Sequence, residues 1–399
     1  MPGYNSAVPR RTYIDWARGI AVLVMIEAHT LDAWTRASAR HGYIYRDATV
    51  LGGFAAPLFL WLAGVAVVLA AARTSEQPDP AGAPESRWRS GRARGVEMAC
   101  RRGLEIFLLA FLFRLQGFIV TPGGAPVTLF RVDVLNIMGP SMVGVGLLWG
   151  LGRTAAFRVA ACAAAAVCIG MLTPIVRTTS LVSALPIWLQ WYMRPAGDLT
   201  IFTLFPWAGF VFAGGAVGSL LATASDERAE RRLQIVLGAS GAALIALGFY
   251  AAGLPSIYRV SSFWTSSPTW FAIRVGVLMV AVSAIFGLWL LSHETTKSPK
   301  PGLFVRVFVF SWQKPLTVLG RSSLFVYWIH VELVYGYTTW LIRGRLPLWG
   351  TAIAYVVFCA LMYGAIVLRD RLVDRWRVRR GGQTPQQARQ AEATSQASA

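Results

Sequence analysis

The segment that most constrains this chain runs from Asp15 to Asp32, with the sequence DWARGIAVLVMIEAHTLD. It is apolar enough to enter a membrane, yet it carries several ionisable groups, each of which costs roughly 2.5–3.5 kcal/mol in a bilayer on insertion scales. On a helix with about 100° per residue, Arg18 and His29 point in nearly the same direction. Asp15 and Asp32 lie about 60° to either side, and Glu27 lies on the opposite face. A stripe of acid, base and cation at membrane depth predicts a site of chemistry.

The composition predicts an all-α, polytopic integral membrane protein. Hydrophobic residues make up 55% of the 399 residues and charged residues only 14%, whereas about 25% charged residues is typical of soluble proteins. The apolar residues fall in blocks of about 20, which is long enough to cross a hydrocarbon core of about 30 Å. We predict about 10 transmembrane helices. Their ranges are 17–35, 50–72, 103–120, 132–151, 157–176, 200–223, 233–253, 269–292, 322–342 and 347–368.

The distribution of basic residues predicts that both termini are cytoplasmic. With that orientation, most of the 38 Lys and Arg residues fall in inner segments, as the positive-inside rule requires. The net charge of +19 is then explained by topology and by attraction to anionic membrane lipid. No soluble domain is available to bind nucleic acid, so we expect no nucleic-acid partner. We expect a multi-pass protein of the cell (inner or plasma) membrane, and a homo-oligomer remains open.

The chain reads as one transmembrane domain over 13–368, between a cytoplasmic segment 1–12 and a cytoplasmic tail 369–399. The longest inner loop, 73–102, begins as a Pro-rich linker and becomes basic. Its second part, 88–102, has the pattern of an amphipathic helix on the membrane surface. We expect disorder from Gly381 onward. Ala37-Ser-Ala39 could end a signal peptide, but the ionisable residues before it favour a retained first span.

His29 is the first candidate for chemistry. It lies about 16 Å along the helix from Arg18, just past the predicted midplane. A neutral imidazole there could act as a general base on a hydroxyl or amine, or as a nucleophile that carries an acyl group. Asp32, one turn on, is the nearest carboxylate in sequence to orient the ring. The alternative is a histidine that only forms hydrogen bonds between helices.

The second candidate cluster lies in the predicted ninth span. Tyr327 and His330 are three residues apart and share a helix face, with Tyr337 further along, whereas Glu332 points elsewhere. Arg321, at the inner edge, could contact phosphate or simply reach toward the membrane surface.

The third cluster is Arg131-Val-Asp133 at the outer end of the fourth span. These two residues could pair with each other or line a pocket for a polar acceptor. Arg114, within the third span, needs a partner, and Asp133 or Asp15 could supply it. For the arginines the alternative is a structural salt bridge.

Several sequence signatures are absent. The chain has no Walker motif, no Cys-x-x-Cys, no His-Glu-x-x-His and no Gly-x-Ser-x-Gly. Of its 4 histidines, His41 and His293 fall in predicted loops, so we predict no metal site. Two pairs of glycines, Gly146-x-x-x-Gly150 and Gly214-x-x-x-Gly218, instead predict close contacts between helices.

Four stretches resemble the membrane acyltransferases of the heparan-alpha-glucosaminide N-acetyltransferase type, which overlap with the broader acyltransferase-3 group. Their order and spacing over roughly 12–368 carry the resemblance. The stretches are Ile14-Asp15-x-x-Arg18-Gly19 with Met25 and His29; Phe54-Ala-Ala-Pro57-Leu-Phe59 with Gly64; Phe205-Pro206-Trp207 with Gly214; and Leu319-Gly320-Arg321-x-Ser323-Leu-x-x-Tyr327-x-x-His330.

The resemblance implies transfer of an acyl group, often acetyl, from cytoplasmic acyl-CoA to a sugar amine or hydroxyl across the membrane. It makes His29 the catalytic histidine. Acetyl-CoA would be a co-substrate, with no permanently bound cofactor, and a sugar or glycolipid would be the acceptor. The predicted ten spans depart from the eleven expected of the lysosomal relative, and no extended outer domain is present, so the acceptor does not carry over.

The same reaction is consistent with the residues themselves. CoA carries phosphates and cannot cross a bilayer, so the relay needs a basic inner site and a buried base. We assign CoA binding to Asp15, Arg18, Arg101, Arg102 and Arg321, catalysis to His29, Asp32 and His330, and acceptor binding to Arg131, Asp133 and Tyr327.

Two other function classes stay open at this point. A proton-coupled transporter could use His29, Asp32 and His330 as a relay, and it would move protons without consuming acyl-CoA. A noncatalytic membrane scaffold or sensor would tolerate His29→Ala.

Overall fold

The structure is built from helices, as the sequence predicts. The computed structural model describes residues 11–77, 87–120, 125–200, 202–297 and 303–379. It is 83% helical, and the described ranges contain no β-strand. Two isolated bridges, Thr35–Leu346 and Val132–Thr200, are the β-type pairings within these ranges.

Fourteen α-helices make up the described parts of the chain. They are α1 (Thr12–Trp34), α2 (Tyr43–Gly52), α3 (Ala55–Glu76), α4 (Arg87–Val120), α5 (Val134–Leu151), α6 (Ala155–Thr178), α7 (Ser180–Ser183), α8 (Ile187–Met193), α9 (Leu204–Leu221), α10 (Glu227–Ala252), α11 (Pro268–Lys297), α12 (Leu303–Arg321), α13 (Ser323–Tyr335) and α14 (Leu348–Arg379).

Within the described residues, 8 helices are long and apolar enough to cross a membrane, namely α3 with the preceding α2, α4, α5, α6, α9, α10, α11 and α14. The polytopic membrane class is therefore confirmed. Helix α1 is long enough but carries the charged stripe, and α13 is apolar but only 13 residues long. The number of ten spans stays a prediction.

The helices pack closely where glycines allow it. Helix α3 packs along α9, where a Cβ on Gly64 would overlap the backbone of Val211 and one on Gly214 would overlap the backbone of Trp61. Helix α4 packs along α5, where side chains of α4 leave no room for a Cβ on Gly146 or Gly150. Both predicted glycine contacts are therefore confirmed.

Helix α1 is the centre of the site because several helices surround it. It contacts α3, α12, α13 and α14. The chain after α13 returns to the end of α1, where the amides of Gly344 and Leu346 donate to the carbonyls of Ala33 and Trp34, each at 2.9 Å. These bonds satisfy carbonyls that a helix end leaves without partners. We call the end of the bundle where α1 begins the proximal end and the end where α1 stops the distal end.

Two predicted boundaries are wrong. The segment 88–102 is not a separate surface helix, because α4 runs without a break from Arg87 to Val120. Gly95 on this part of α4 lies against the ring of Trp149 and the backbone of Ala71, so it belongs to the bundle.

The predicted span 322–342 is also too long, since α13 ends at Tyr335. The hydroxyl of Thr339 lies 2.9 Å from the carbonyl oxygen of Leu333 and 2.7 Å from that of Val334, and it donates to these carbonyls of the last helical turn. Most of the predicted linker and the predicted disorder from Gly381 lie outside the described residues.

Candidate active site

One cavity of about 1210 Å³ runs through the bundle and connects its two ends. Most of its wall is apolar, with the polar side chains at both ends and near the middle. Arg18 of α1, Arg102 of α4 and Arg321 of α12 line the proximal end. His29 lines the middle, and Asp32 lies beyond it at the distal end.

His29 is held by a phenol rather than directly by a carboxylate. Its Nδ1 lies 3.1 Å from Oη of Tyr335, and this hydroxyl donates to Oδ2 of Asp32 at 2.8 Å. Because the phenol donates its one proton in the hydrogen bond to Asp32, its oxygen can only accept a hydrogen bond from Nδ1–H of His29. The lone pair of His29 therefore lies on Nε2, the nitrogen that a base or nucleophile would use.

His330 lies beside His29 but is enclosed. The two ring centroids are 5.1 Å apart, and His330 is 0% exposed. Its Nδ1 lies 2.9 Å from the carbonyl of Val326 and 2.8 Å from that of Tyr327, so Nδ1 carries the proton. Its Nε2 is an acceptor with no hydrogen-bond partner in the described part of the chain.

A second polar cluster forms part of the cavity wall near the distal end. Asp133 is the N-cap residue of α5 and forms a capping box with Asn136. Its Oδ2 accepts from Arg114 at 2.5 Å, and its Oδ1 accepts from Tyr327 at 2.9 Å. Both the carboxylate and the guanidinium are at least four-fifths buried, which makes this a buried ion pair.

Arg131 lies next to this pair and belongs to the loop before α5. Its Nε is buried without a hydrogen-bond partner among the described residues. Burial and the neighbouring Arg114 lower the pKa of the Arg131 guanidinium, while Asp133 and Asp198 act in the opposite direction. Nε of Arg131 is therefore a buried donor that none of its described neighbours uses.

The proximal end combines one cross-helix pair with exposed cations. Nε of Arg321 lies 3.3 Å from Oδ2 of the buried Asp15, and a Cβ on Gly320 would overlap the backbone of Asp15. This close crossing of α1 and α12 places Arg321 at the cavity. Arg102 also lines the cavity and donates to Glu105 at 3.1 Å.

Comparison with known proteins assigns the chain to a family. The family model for heparan-alpha-glucosaminide N-acetyltransferase, catalytic, matches residues 10–252. The chain belongs to this family. No curated protein matches it.

Membership in the N-acetyltransferase family supports a membrane acetyltransferase-like function. The matched range contains the stripe on α1 and the Arg114–Asp133 pair. It ends at residue 252, before α11 to α14. The partners of His29 on α13 therefore come from the part of the chain beyond the match.

The structure brings ten of the eleven predicted site residues to the cavity wall or into direct contact with residues there. Arg101 differs, because its side chain is 81% exposed and pairs with Glu105 away from the cavity. Asp15 reaches the site through Arg321, and His330 through His29. Arg114 pairs with Asp133, one of the two partners considered for it.

Two contributors to this region were missed from the sequence. Tyr335 contacts His29, whereas Tyr337, the tyrosine expected on this face, lies past the end of α13 and is 63% exposed. Arg274, on α11, lies among aromatic rings beside the distal end of the cavity. In the sequence, Arg274 stands out only as a single arginine within the predicted span 269–292.

Proposed function

We propose that this N-acetyltransferase family member transfers an acetyl group from cytoplasmic acetyl-CoA to an amine or hydroxyl of a sugar or glycolipid on the opposite side of the membrane. The observation that supports this proposal is the cavity of about 1210 Å³, which extends from a basic proximal end past His29 to the distal end. In this proposal the proximal end is cytoplasmic, both termini are cytoplasmic, and the protein lies in the plasma membrane.

The proximal arginines suit the donor. Arg18, Arg102 and Arg321 present guanidinium groups to the cavity, and guanidinium is well matched to the phosphates of CoA. The thioester would extend from this end toward His29 while the charged part of the donor stays at the membrane surface. The largely apolar wall on either side of His29 would keep water away from the thioester.

His29 would act through Nε2. As the oxygen or nitrogen of the acceptor attacks the thioester carbonyl, Nε2 takes the acceptor's proton, and the resulting imidazolium donates through Nδ1 to Tyr335. The C–S bond breaks, the CoA thiolate leaves, and it receives the proton from Nε2. Asp32 stabilises the transient positive charge through the phenol. Proton transfer of this kind typically contributes 10²–10⁴-fold.

An acetyl-histidine route uses the same atoms in two steps. Nε2 attacks the thioester first, the C–S bond breaks and CoA leaves as its thiolate, which gives an acetyl-imidazolium that keeps its Nδ1–H. The acceptor then attacks the acetyl carbon, the bond to Nε2 breaks, and the acceptor's proton passes through the released Nε2 to the CoA thiolate. His330 lies close enough to favour the orientation of the His29 ring in either route, and we assign it that positioning role.

The test is acetyl-CoA turnover by detergent-purified protein. Wild type, His29→Ala and the control His41→Ala, whose side chain is exposed in the chain after α1, are incubated with labelled acetyl-CoA and an amino-sugar acceptor. We expect CoA release in wild type and His41→Ala, and its loss in His29→Ala. Label that stays on the wild-type protein without acceptor favours the acetyl-histidine route. Absence of both CoA release and acetyl-CoA binding would refute the proposal.

No contact among the described residues favours the proton-coupled transporter over this proposal. A relay through His29, Asp32 and His330 would need a bond from His330 onward, but its Nδ1 is bonded to backbone carbonyls of its own helix. Substrate-driven proton flux in proteoliposomes without acetyl-CoA would reverse this preference.

A further inference from the structure

Arg274 lies at the distal end of α11 in a cage of aromatic rings. Its guanidinium carbon is 4.9 Å from the ring centroid of Trp270, 5.9 Å from that of Trp207 and 6.0 Å from that of Phe54. The three rings come from α11, α9 and the start of α3. The tertiary fold therefore assembles the cage.

The rings leave Nε of this guanidinium without a hydrogen-bond partner among the described residues. Nε of Arg274 is buried without an acceptor within the described ranges, and no carboxylate there pairs with it. Aromatic faces attract a cation but accept its N–H groups poorly. Arg114 lies at a similar distance from the end of its own helix, but it forms an ion pair with the carboxylate of Asp133 at 2.5 Å. A buried cation without a counter-charge is unfavourable, so Arg274 is suited to an anion from outside the chain.

The cage adjoins the cavity. Trp207 and Gly53 line the cavity, and Nη2 of Arg274 lies 3.6 Å from where a Cβ would stand on Gly53. A side chain at position 53 would crowd this approach, and glycine leaves it open. The guanidinium thus lies directly behind the part of the wall that lacks a side chain.

A second arginine with unused donors faces the same end. Arg131 lines the cavity, and its neighbour Val132 packs in one apolar cluster with Trp207. Nε of Arg131 has no partner among the described residues, although Asp133 and Asp198 are close enough to influence it. Arg131 therefore lies on the cavity wall at the distal end, and Arg274 lies behind that wall beside Trp207.

We propose that Arg274 and Arg131 form an anion-binding subsite at the distal end of the cavity, which binds a carboxylate, sulfate or phosphate group carried by the acceptor. That the ligand is the acceptor rests on the proposed function; the anion site itself does not. Planar guanidinium groups bind such anions through paired N–H donors, and the site would orient the acceptor's reactive atom toward His29.

Binding is tested first without turnover. Inorganic phosphate is titrated into detergent-purified protein at constant ionic strength, and the Tm is recorded for wild type, Arg274→Gln and Arg158→Gln. Arg158 is the matched control because its guanidinium carbon lies 4.4 Å from the centroid of Trp149 while its Nε donates to the carbonyl of Gly152. We expect a saturable rise in Tm for wild type and Arg158→Gln that is lost in Arg274→Gln.

A phosphate response that is absent from wild type, or equal in all three proteins, overturns the subsite. If Arg274→Gln does not fold, Arg131→Gln gives the second test, with an expected several-fold weaker phosphate response; an unchanged response overturns the two-arginine site. Stabilisation by phosphatidylglycerol that needs Arg274, without any response to inorganic phosphate, would assign the site to a lipid headgroup instead of the acceptor.

Turnover then tests the link to the acceptor. Acetyl transfer is measured with glucosamine and with glucosamine 6-phosphate. We expect the KM of wild type for the phosphorylated sugar to be about tenfold lower than for glucosamine, and this preference to vanish in Arg274→Gln. Equal KM values in wild type overturn this inference alone. Absence of transfer and of CoA release overturns the proposed function, while the phosphate titration still decides the subsite.

Discussion

Nδ1 of His29 lies 3.1 Å from the phenolic oxygen of Tyr335, and the phenol in turn donates to Asp32 at 2.8 Å. The carboxylate thus acts on the imidazole through an intervening hydroxyl. This arrangement fixes the tautomer of His29 and leaves Nε2 as the acceptor nitrogen. It also joins α1, which the family match covers, to α13, which lies beyond it.

Removing the bridging hydroxyl should slow the chemical step. In Tyr335→Phe the ring remains against His29, but Nδ1 loses its acceptor and Asp32 its donor. We expect kcat to fall roughly 10²-fold while the KM for acetyl-CoA stays unchanged. Steady-state kinetics of CoA release measure both constants.

Tyr337→Phe is the matched control, because Tyr337 is two residues further on and exposed. It should keep the wild-type kcat. A Tyr335→Phe variant with full kcat, or one that loses kcat only in proportion to its folded fraction, would contradict the role of the phenol.

Breaking the buried pair on the cavity wall should cost stability. Asp133→Asn leaves the Arg114 guanidinium buried without its counter-charge, which typically destabilises by about 3–5 kcal/mol. We expect a lower Tm in detergent, and partial recovery in the double variant Arg114→Gln with Asp133→Asn. Asp47→Asn is the control, since its pair with Arg46 is exposed and worth about 1 kcal/mol or less. A double variant less stable than either single one would argue against this pairing.

The stripe on α1 was predictable because helix periodicity is a local property. The spacing from Arg18 to His29 needs only the geometry of one helix, and both residues line the cavity. The apolar helices were predictable for the same reason, since their length and composition lie in the sequence. Arg101 and Arg102 differ because adjacent helical residues point about 100° apart, and the sequence does not say which direction faces the cavity.

Contacts between distant helices were not predictable in the same way. Tyr335 and His29 are separated by 306 positions, and their contact depends on where α13 ends. The hydroxyl groups of the threonines that follow α13 donate hydrogen bonds to carbonyls of its last turn, and hydropathy alone does not detect such bonds. The cage around Arg274 likewise needs the packing of three helices.

The crossing of α3 and α9 should tolerate no side chain at Gly64. A Cβ there would overlap the carbonyl oxygen of Val211, so α3 and α9 would have to separate. We expect Gly64→Ala to destabilise the protein by about 1–3 kcal/mol, seen as a lower Tm and less monodisperse protein in detergent. Gly287→Ala is the control, because a Cβ on that helical glycine meets nothing within 4 Å. Equal stability of the two variants would show that the helices do not approach this closely.

The effect of substituting each proximal arginine should depend on whether its side chain reaches the cavity. Arg102 and Arg321 line it, whereas Arg101 points away and is 81% exposed. We therefore expect Arg102→Gln and Arg321→Gln each to raise the KM for acetyl-CoA about tenfold, through lost contacts to phosphate, with smaller changes in kcat. Arg101→Gln should leave both constants near wild type. A CoA analogue that lacks the phosphates should show little difference among the four proteins, because the lost interaction is then absent from all of them. If Arg101→Gln has the largest effect instead, the donor binds on the exposed face of α4 and enters the cavity by another route.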